Sequence, residues 1–192
     1  MAGDWDWLKL DALAAAPRLL GCTLVHRHLA ARIVEVEAYR GADDAGSHGH
    51  RGMTPRNVVM FGPPGFAYVY FTYGTHWMLN VSCEDEGVCG AILIRAAVPL
   101  KGQDIMRSRR GGVTHDRELL SGPAKICQAF AIDRRHNGAC LIGNESFRLE
   151  RGETPPRIRR TPRIGLAKGK GDELPWRFVD ADAGAWLSRP LR

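Results

Sequence analysis

Residues 31–39 read ARIVEVEAY, and residues 66–82 read FAYVYFTYGTHWMLNVS. Both stretches are rich in β-branched and aromatic residues, and charged or polar side chains recur in them at strand spacing. In the second stretch, the turn residues 73–76 (Tyr-Gly-Thr-His) separate two such runs. Phe66–Tyr73 and Trp77–Ser82 are therefore predicted to pair as a hairpin.

The segments around this stretch predict a mixed architecture. Helical apolar spacing runs from Asp11 to Leu20, where we expect Pro17 to start a second short turn that Gly21 ends. Two more helices are predicted, at Leu100–Arg110 and Ser121–Ala131. The other predicted strands are Thr23–Arg27, Ala31–Tyr39, Ala91–Arg95, Pro175–Val179 and Ala185–Leu187, while Arg151–Lys170 lacks periodicity.

The length of 192 residues suits one substantial core, and no repeat or long linker divides the chain. Runs of strands with separate helices are typical of α+β proteins. We therefore predict a single α+β domain over residues 1–192, with a curved, mainly antiparallel sheet, flanking helices and a protruding β-hairpin.

The net charge is +6, which weakly favours a polyanionic partner and is also common in basic proteins without one. Apolar runs are far shorter than the ~20 residues of a membrane span. Asp4, Asp6 and Asp11 interrupt the N-terminal apolar stretch, which argues against a secretory signal. We expect a cytoplasmic protein without membrane association.

The five cysteines are irregularly spaced, and none of them forms a CxxC pair. This pattern favours reduced, buried thiols over a disulfide framework or a zinc site. We expect no metal and no cofactor. A catalytic Cys–His pair stays open, although no spacing singles one out.

The strand Ile33–Tyr39 carries two carboxylates on one face if its residues alternate regularly. Val34, Val36 and Ala38 would meet the core, and Ile33, Glu35, Glu37 and Tyr39 would form the other face. Alternate positions are about 7 Å apart, a separation compatible with acid/base hydrolysis through a water molecule. A solvated strand face is the common alternative.

Several further side chains could build a site, each with a structural alternative. His48 lies with His50 and Arg51 in a Gly-rich loop and could simply be exposed. Tyr68 and Tyr70 share a strand face; Tyr68 is interpreted as core and Tyr70 stays ambiguous. Tyr73, at the hairpin tip, could stack or wedge between bases.

Two polar residues interrupt apolar strands, and a third group suggests phosphate binding. Asn80 needs hydrogen bonds, either from the backbone or from the edge of a purine. Arg95 should reach solvent or pair with a carboxylate, for which Glu37 is suited. Lys125 follows a helix start where Ser121 could be a cap or part of a phosphate site. Further cations for a DNA backbone, or for a solvated face, are Arg107, Arg109, Arg110, Arg157, Arg159, Arg160 and Arg163.

Long ordered motifs resemble the alkyladenine (3-methyladenine) DNA glycosylase family, in its bacterial form. They are IVEVEAY at 33–39, TPRNVVMF at 54–61, PGFAYVYFTYG at 64–74, LNVS at 79–82 and SGPAKICQA at 121–129. The resemblance runs from about Leu19 to Phe178. Departures are a loop from His48 to Thr54 that is one residue shorter, and Thr75 and His76 where the family has bulkier residues.

The resemblance implies roles for matching positions. Glu37 would be the general base that activates water, Arg95 would help to hold that water, and Glu35 would have no catalytic role. A flipped base would stack between Tyr39 and the pair His48 and Tyr70, with Asn80 excluding the guanine amine and Tyr73 wedged into the DNA. Contacts to the DNA backbone would come from Thr54, Thr75, His76, Lys125, Ile164 and Gly165.

The resemblance thus implies a monofunctional glycosylase that flips alkylated or deaminated purines out of duplex DNA and hydrolyses their N-glycosidic bond, starting base excision repair. Examples are 3-methyladenine, 7-methylguanine and hypoxanthine. We expect a monomer in the bacterial cytosol, associated with the nucleoid. The alternative is a non-catalytic DNA-binding module that recognises damage. An RNA-directed hydrolase is disfavoured by the resemblance alone.

Overall fold

A computed structural model describes residues 2–72 and 74–191 and shows the expected α+β fold, built on one curled antiparallel sheet. The strands are β1 (Thr23–His26), β2 (Leu29–Tyr39), β3 (Ala67–Thr72), β4 (His76–Ser82), β5 (Ala91–Lys101), β6 (Phe147–Glu150), β7 (Ile158–Thr161) and β8 (Arg177–Asp180). The helices are α1 (Ala12–Leu19), α2 (Gln103–Arg109), α3 (Asp116–Leu119) and α4 (Pro123–Phe130). Short 3₁₀ helices span Ala2–Lys9, Val58–Phe61, Arg134–His136 and Ala181–Trp186.

Strand β2 is the centre of the sheet, whose main order is β3-β4-β5-β2-β1-β6. One edge of β2 pairs with β5 along most of its length. Its other edge pairs first with β1 and then, at residues 35–37, with β8, which also pairs with β7. Both glutamates of β2 therefore lie between two neighbouring strands, in the middle of the sheet.

The predicted hairpin is formed by β3 and β4, which pair from Ala67–Val81 to Thr72–His76. Only the last residues of β4, Asn80 to Ser82, also pair with β5. The far end of the hairpin therefore extends beyond its neighbour in the sheet. Tyr73, the proposed wedge, lies outside the described residues.

A β-bulge in β2 corrects the predicted strand faces. The register with β5 shifts on both sides of Glu35. As a result Ile33 joins Val36 and Ala38 in the main core, while Val34 packs in a separate small cluster. The alternation assumed from the sequence fails because the bulge adds a residue to one side of the strand.

Helix α1 is continuous, so the expected division at Pro17 is wrong. Asp11 caps the helix, since its carboxylate accepts the N–H of Leu13 at 2.8 Å. The buried residues Ala12, Ala15, Ala16 and Leu19 form an i, i+3, i+4, i+7 stripe against the core. This packing outweighs the one hydrogen bond that Pro17 removes.

Other differences lie further along the chain. Strand β5 continues to Lys101, so the helix predicted from Leu100 begins only at Gln103, and the sequence pattern did not indicate α3 or β6. The expected strand Ala185–Leu187 is wrong, because Ala181–Trp186 forms a 3₁₀ helix that Asp180 caps. The segment Arg151–Lys170, which lacks periodicity in sequence, contains β7, an edge strand of four residues with no buried position. Strand β1 ends at His26 because Arg27 has a φ of 55° and starts the turn into β2.

Within the described residues, all five cysteines are free thiols, and four of them are buried, as predicted. No helix in those residues is long and apolar enough to cross a membrane. No cluster of three or more His, Cys, Asp or Glu side chains that could hold a metal ion occurs in the described part of the chain.

Candidate active site

A cavity of about 320 Å³ opens where β2, β3, β4 and β5 meet the loop at residues 164–166. Five residues predicted for catalysis or base binding line it: Tyr39, His48, Tyr70, Asn80 and Arg95. The other lining residues are Gly46, Met60, Tyr68, Thr72, Met78, Leu93, Pro123, Ile164, Gly165 and Leu166. Strand positions far apart in sequence thus converge on one cavity.

Glu37 lies directly behind the wall of this cavity and has no solvent exposure. Its Oε1 accepts the backbone N–H of Ile164 at 2.7 Å. Its Oε2 accepts the hydroxyl of Tyr39 at 2.9 Å and Nη1 of Arg95 at 3.3 Å. All three donors line the cavity, and a carboxylate can accept about four hydrogen bonds. The remaining acceptor capacity is on Oε1.

Tyr39 is held as a protonated donor to that carboxylate. Burial and the charge of Glu37 raise the pKa of Tyr39 well above its ordinary value. The guanidinium carbon of Arg163 lies 4.6 Å from the centroid of the Tyr39 ring, within cation–π range. The orientation of Tyr39 is therefore fixed both at its hydroxyl and by the guanidinium next to its ring.

Arg163 is buried and paired, so its assignment to a DNA-facing surface is wrong. Its Nη1 and Nη2 each donate to Asp44 at 2.7 Å, and Nη1 also donates to Ala38 O at 3.0 Å. Neither side chain of the Arg163–Asp44 pair has solvent exposure. The pair joins the loop after β2 to the segment that supplies the Ile164 amide to Glu37.

The opposite wall of the cavity is aromatic. The rings of His48 and Tyr70 meet edge to face with centroids 4.5 Å apart, and Nδ1 of His48 lies 2.9 Å from the hydroxyl of Tyr68. Asn57 fixes the loop that carries His48, because its Nδ2 donates to His48 O at 2.8 Å. The hydroxyl of exposed Thr54 donates to Asn57 Oδ1 at 3.0 Å, which stabilises the same loop.

His48 is expected to stay neutral at pH 7. Partial burial, and then the charge of Arg56, lower the pKa of His48 below its ordinary value of about 6.5. The unfolded chain then binds the proton first as pH falls, so His48 lowers the stability of the fold below about pH 6.5 and has no such effect above it. An NMR pH titration of the His48 ring checks this. A midpoint at or above the ordinary value would contradict it.

Asn80 has a backbone partner, which is one of the two interpretations that the sequence left open, and contact with a purine edge stays a prediction. Its side chain is 3% exposed and its Nδ2 donates to Tyr68 O at 3.1 Å, so the backbone satisfies part of the amide. The residue also lines the cavity. Since β4 pairs with both β3 and β5 at this point, the position of the amide is tightly constrained.

Arg95 pairs with Glu37 as expected and also with Glu35, whose carboxylate oxygen accepts Nε of Arg95 at 3.2 Å. Burial alone would lower the pKa of Arg95, but the charges of Glu37 and Glu35 outweigh it and the pKa rises. Glu35 also pairs with Arg177 at 2.7 Å. Ser188 donates two further hydrogen bonds to it, so structural partners occupy most of its acceptor capacity and the idea of paired catalytic carboxylates has no support.

The residues expected to contact phosphates lie in several places: Ile164 and Gly165 line the cavity, Lys125 is in α4, Thr54 is in the loop that carries His48, and Thr75 and His76 are on the hairpin. Pro123, the first residue of α4, lines the cavity, and Nζ of Lys125 donates to Ser121 Oγ at 3.1 Å. Ser121 is not the helix cap, because Gly122 occupies that position. Exposed Gly165 has a φ of +86°, which allows a tight turn beside the cavity. Thr75 and His76 are exposed on the hairpin.

Sequence reasoning missed the residues that hold this site in place. Asp44 and Arg163 gave no local signal, because their pairing spans 119 residues of sequence. Ser188 and Arg177 were missed for the same reason. Tyr68 did carry a signal, because it shares a strand face with Tyr70. It is buried, as interpreted, and its hydroxyl also reaches His48.

Comparison with known proteins identifies a matching family. A model described as "Methylpurine-DNA glycosylase (MPG)" matches residues 6–184. A protein of Rhodopseudomonas palustris strain BisB5 is 50% identical over 163 residues, covering 85% of this chain and 78% of its own. One from Chlorobaculum tepidum is 42% identical over 178 residues (90% and 84%), and one from Carboxydothermus hydrogenoformans is 49% identical over 174 residues (88% and 89%). Each is named as a candidate 3-methyladenine DNA glycosylase.

Proposed function

Because the chain belongs to the methylpurine-DNA glycosylase family, we propose that it excises alkylated purines, such as 3-methyladenine and 7-methylguanine, from duplex DNA by hydrolysis of the N-glycosidic bond. The observation that carries the proposal is the position of Glu37, whose hydrogen-bond donors Tyr39, Arg95 and Ile164 all line one aromatic cavity. A general base held beside a slot for a flat ring suits this reaction.

The cavity favours a cationic purine. Alkylation at N3 or N7 makes the base positively charged and a good leaving group, and aromatic rings attract such a cation. Tyr39 would lie on one side of the flipped base, with His48 and Tyr70 on the other. A neutral His48 avoids repulsion of the cationic lesion, in line with its lowered pKa. Neutral lesions such as hypoxanthine lack this attraction and would need more help at the leaving group.

The attacking water would bind where Oε1 of Glu37 keeps acceptor capacity. Glu37 is enclosed by its three donors, so the water would enter from the cavity together with the lesion, next to Arg95. Glu37 would take a proton from the water as the oxygen of the water attacks C1′ of the sugar. The C1′–N bond would break, and its electron pair would leave with the alkylated base, which departs neutral. Since no lysine is among the described residues that line the cavity, a Schiff base and strand cleavage are not expected.

Contacts with the duplex would surround this cavity. We propose that Lys125 and the Ile164–Gly165 turn contact phosphates at the rim, while Tyr73 enters the gap left by the flipped nucleotide. The Ile164 N–H already donates to Glu37, so Gly165 is the better phosphate ligand of the two. Thr54, Thr75 and His76 would contact the backbone from exposed positions.

A panel of duplexes tests the function and separates it from the alternative. The purified protein should release free base from DNA that carries 3-methyladenine or 7-methylguanine, and from the same duplex with hypoxanthine or ethenoadenine more slowly. Binding to the lesion without release of any base would support a non-catalytic recognition module. Release from RNA in preference to DNA would support an RNA-directed enzyme.

Replacing Asn80 with serine is expected to raise the excision of 7-methylguanine relative to 3-methyladenine by roughly tenfold, because a steric contact in a pocket contributes a discrimination of about this size. Asn80 is buried in the cavity wall, where the guanine amine would meet it. Single-turnover rates on both duplexes check this. An unchanged ratio of the two rates would remove Asn80 from this role.

A further inference from the structure

Glu35 lies two residues before Glu37, the proposed base. The C-terminal segment, residues 187–189, contacts Glu35 directly through Ser188. The backbone N–H of Ser188 donates to Glu35 Oε2 at 2.6 Å, and the hydroxyl of Ser188 donates to Oε1 at 2.6 Å. Nε of Arg177 and Nε of Arg95 add bonds of 2.7 and 3.2 Å to Oε1. With four donors around a fully buried carboxylate, Glu35 has little capacity left for water or substrate.

Ser188 also contacts the arginine that reaches the proposed base. Nη2 of Arg95 donates to the Ser188 hydroxyl at 3.3 Å, while Nε goes to Glu35 and Nη1 to Glu37. The guanidinium is therefore held through all three of its nitrogens. Arg95 has five N–H groups, so these contacts leave donors for a water in the cavity that it lines.

The C-terminal segment is anchored on both sides of Ser188. Leu187 is buried in a small cluster with Val34 and Val179, and Arg189 O accepts Nη2 of Arg177 at 2.9 Å. Ser188 itself is half-buried at the edge of the network. It also lies beyond residues 6–184, the part of the chain that the family's model matches.

We propose that Ser188 is a positioning residue for the glycosylase reaction: through Glu35 and Arg95 it fixes the guanidinium against Glu37, so that the C-terminal segment completes the active site from outside the sheet. This inference rests on the proposed function. Loss of the Ser188 hydroxyl would remove one of the three hydrogen-bond contacts that hold the Arg95 guanidinium. It would change none of the residues proposed to contact DNA.

Ser188→Ala should lower the single-turnover rate of base release roughly tenfold, the size expected for a lost hydrogen bond to a charged group. The dissociation constant for lesion DNA should stay unchanged. Ser188→Thr, which keeps a hydroxyl, should restore most of the rate. Ser108→Ala makes the same chemical change at an exposed position of α2 and should have no effect.

A double-mutant cycle with Arg95→Gln decides whether Ser188 acts through Arg95. In that background Ser188→Ala should cause little further loss of rate. Three results would each overturn the inference and leave the proposed function unaffected. They are an undiminished effect of Ser188→Ala in the Arg95→Gln background, a change in DNA affinity instead of rate, and a Ser188→Ala enzyme as fast as the wild type. A wild-type protein that releases no base would overturn both.

Discussion

Glu37→Gln is expected to lower the single-turnover rate of base release by about 10²–10⁴-fold, the usual contribution of a general base. The amide has nearly the same shape as the carboxylate, but it cannot take a proton from water. His48 and Tyr70 lie on the opposite wall of the cavity, and the Arg163 guanidinium still contacts the Tyr39 ring, so the groups that would grip the lesion keep their positions. Binding to a lesion-containing duplex should therefore be nearly unchanged, as measured by fluorescence anisotropy. The amide NH₂ does face at least one donor to Glu37, so some loss of stability is expected as well.

A matched control separates this effect from the loss of a negative charge in general. Glu86→Gln makes the same change at an exposed site and should keep the wild-type rate. Circular dichroism would show that both variants are folded. A Glu37→Gln enzyme that retains the wild-type rate would remove Glu37 from its proposed role.

Asp44→Asn is expected to destabilise the protein by about 3–5 kcal/mol, because it leaves the buried Arg163 guanidinium without a counter-charge. Asp44 accepts both Nη atoms of Arg163 and also the backbone N–H groups of Arg40 and Gly46. An asparagine NH₂ would face at least one of these donors. Urea unfolding followed by tryptophan fluorescence gives the change in the free energy of unfolding.

Two comparisons make the stability prediction specific. Asp6→Asn removes a surface ion pair between Asp6 and Lys9, whose side chains are 60% and 58% exposed. This change should lower the free energy of unfolding by less than about 1 kcal/mol. Adding Arg163→Met to Asp44→Asn removes the unpaired charge, so the double variant should lose less stability than the sum of the two single variants. A cost for Asp44→Asn as small as that for Asp6→Asn would contradict the account.

The sheet and the cavity wall could be predicted from sequence because their signal is local. Tyr39, Tyr70, Asn80 and Arg95 each stand in a strand rich in β-branched and aromatic residues, where a polar side chain is conspicuous. The resemblance to a known family implied a role for each of them. The bulge at Glu35 could not be predicted, since nothing in IVEVEAY marks an irregular register. Its effect was to exchange the faces of Ile33 and Val34.

The parts that sequence could not supply depend on contacts between distant residues. Arg163 looks like any other arginine in a basic segment, and only the fold shows that Asp44 neutralises it. Ser188 follows a short 3₁₀ helix, at a place where the strand Ala185–Leu187 was expected. Its contact with Glu35 therefore could not be predicted from the sequence. Residues that position a site thus leave a weaker sequence signal than residues that line it.

The most direct test is the identity of the product from methylated duplex DNA. We expect the wild-type chain to liberate free 3-methyladenine, detected by chromatography, and to leave a strand that breaks only on treatment with alkali. Glu37→Gln should liberate almost none. DNA that is bound but keeps all of its methylated bases, or that is cut without alkali, would contradict the proposed function.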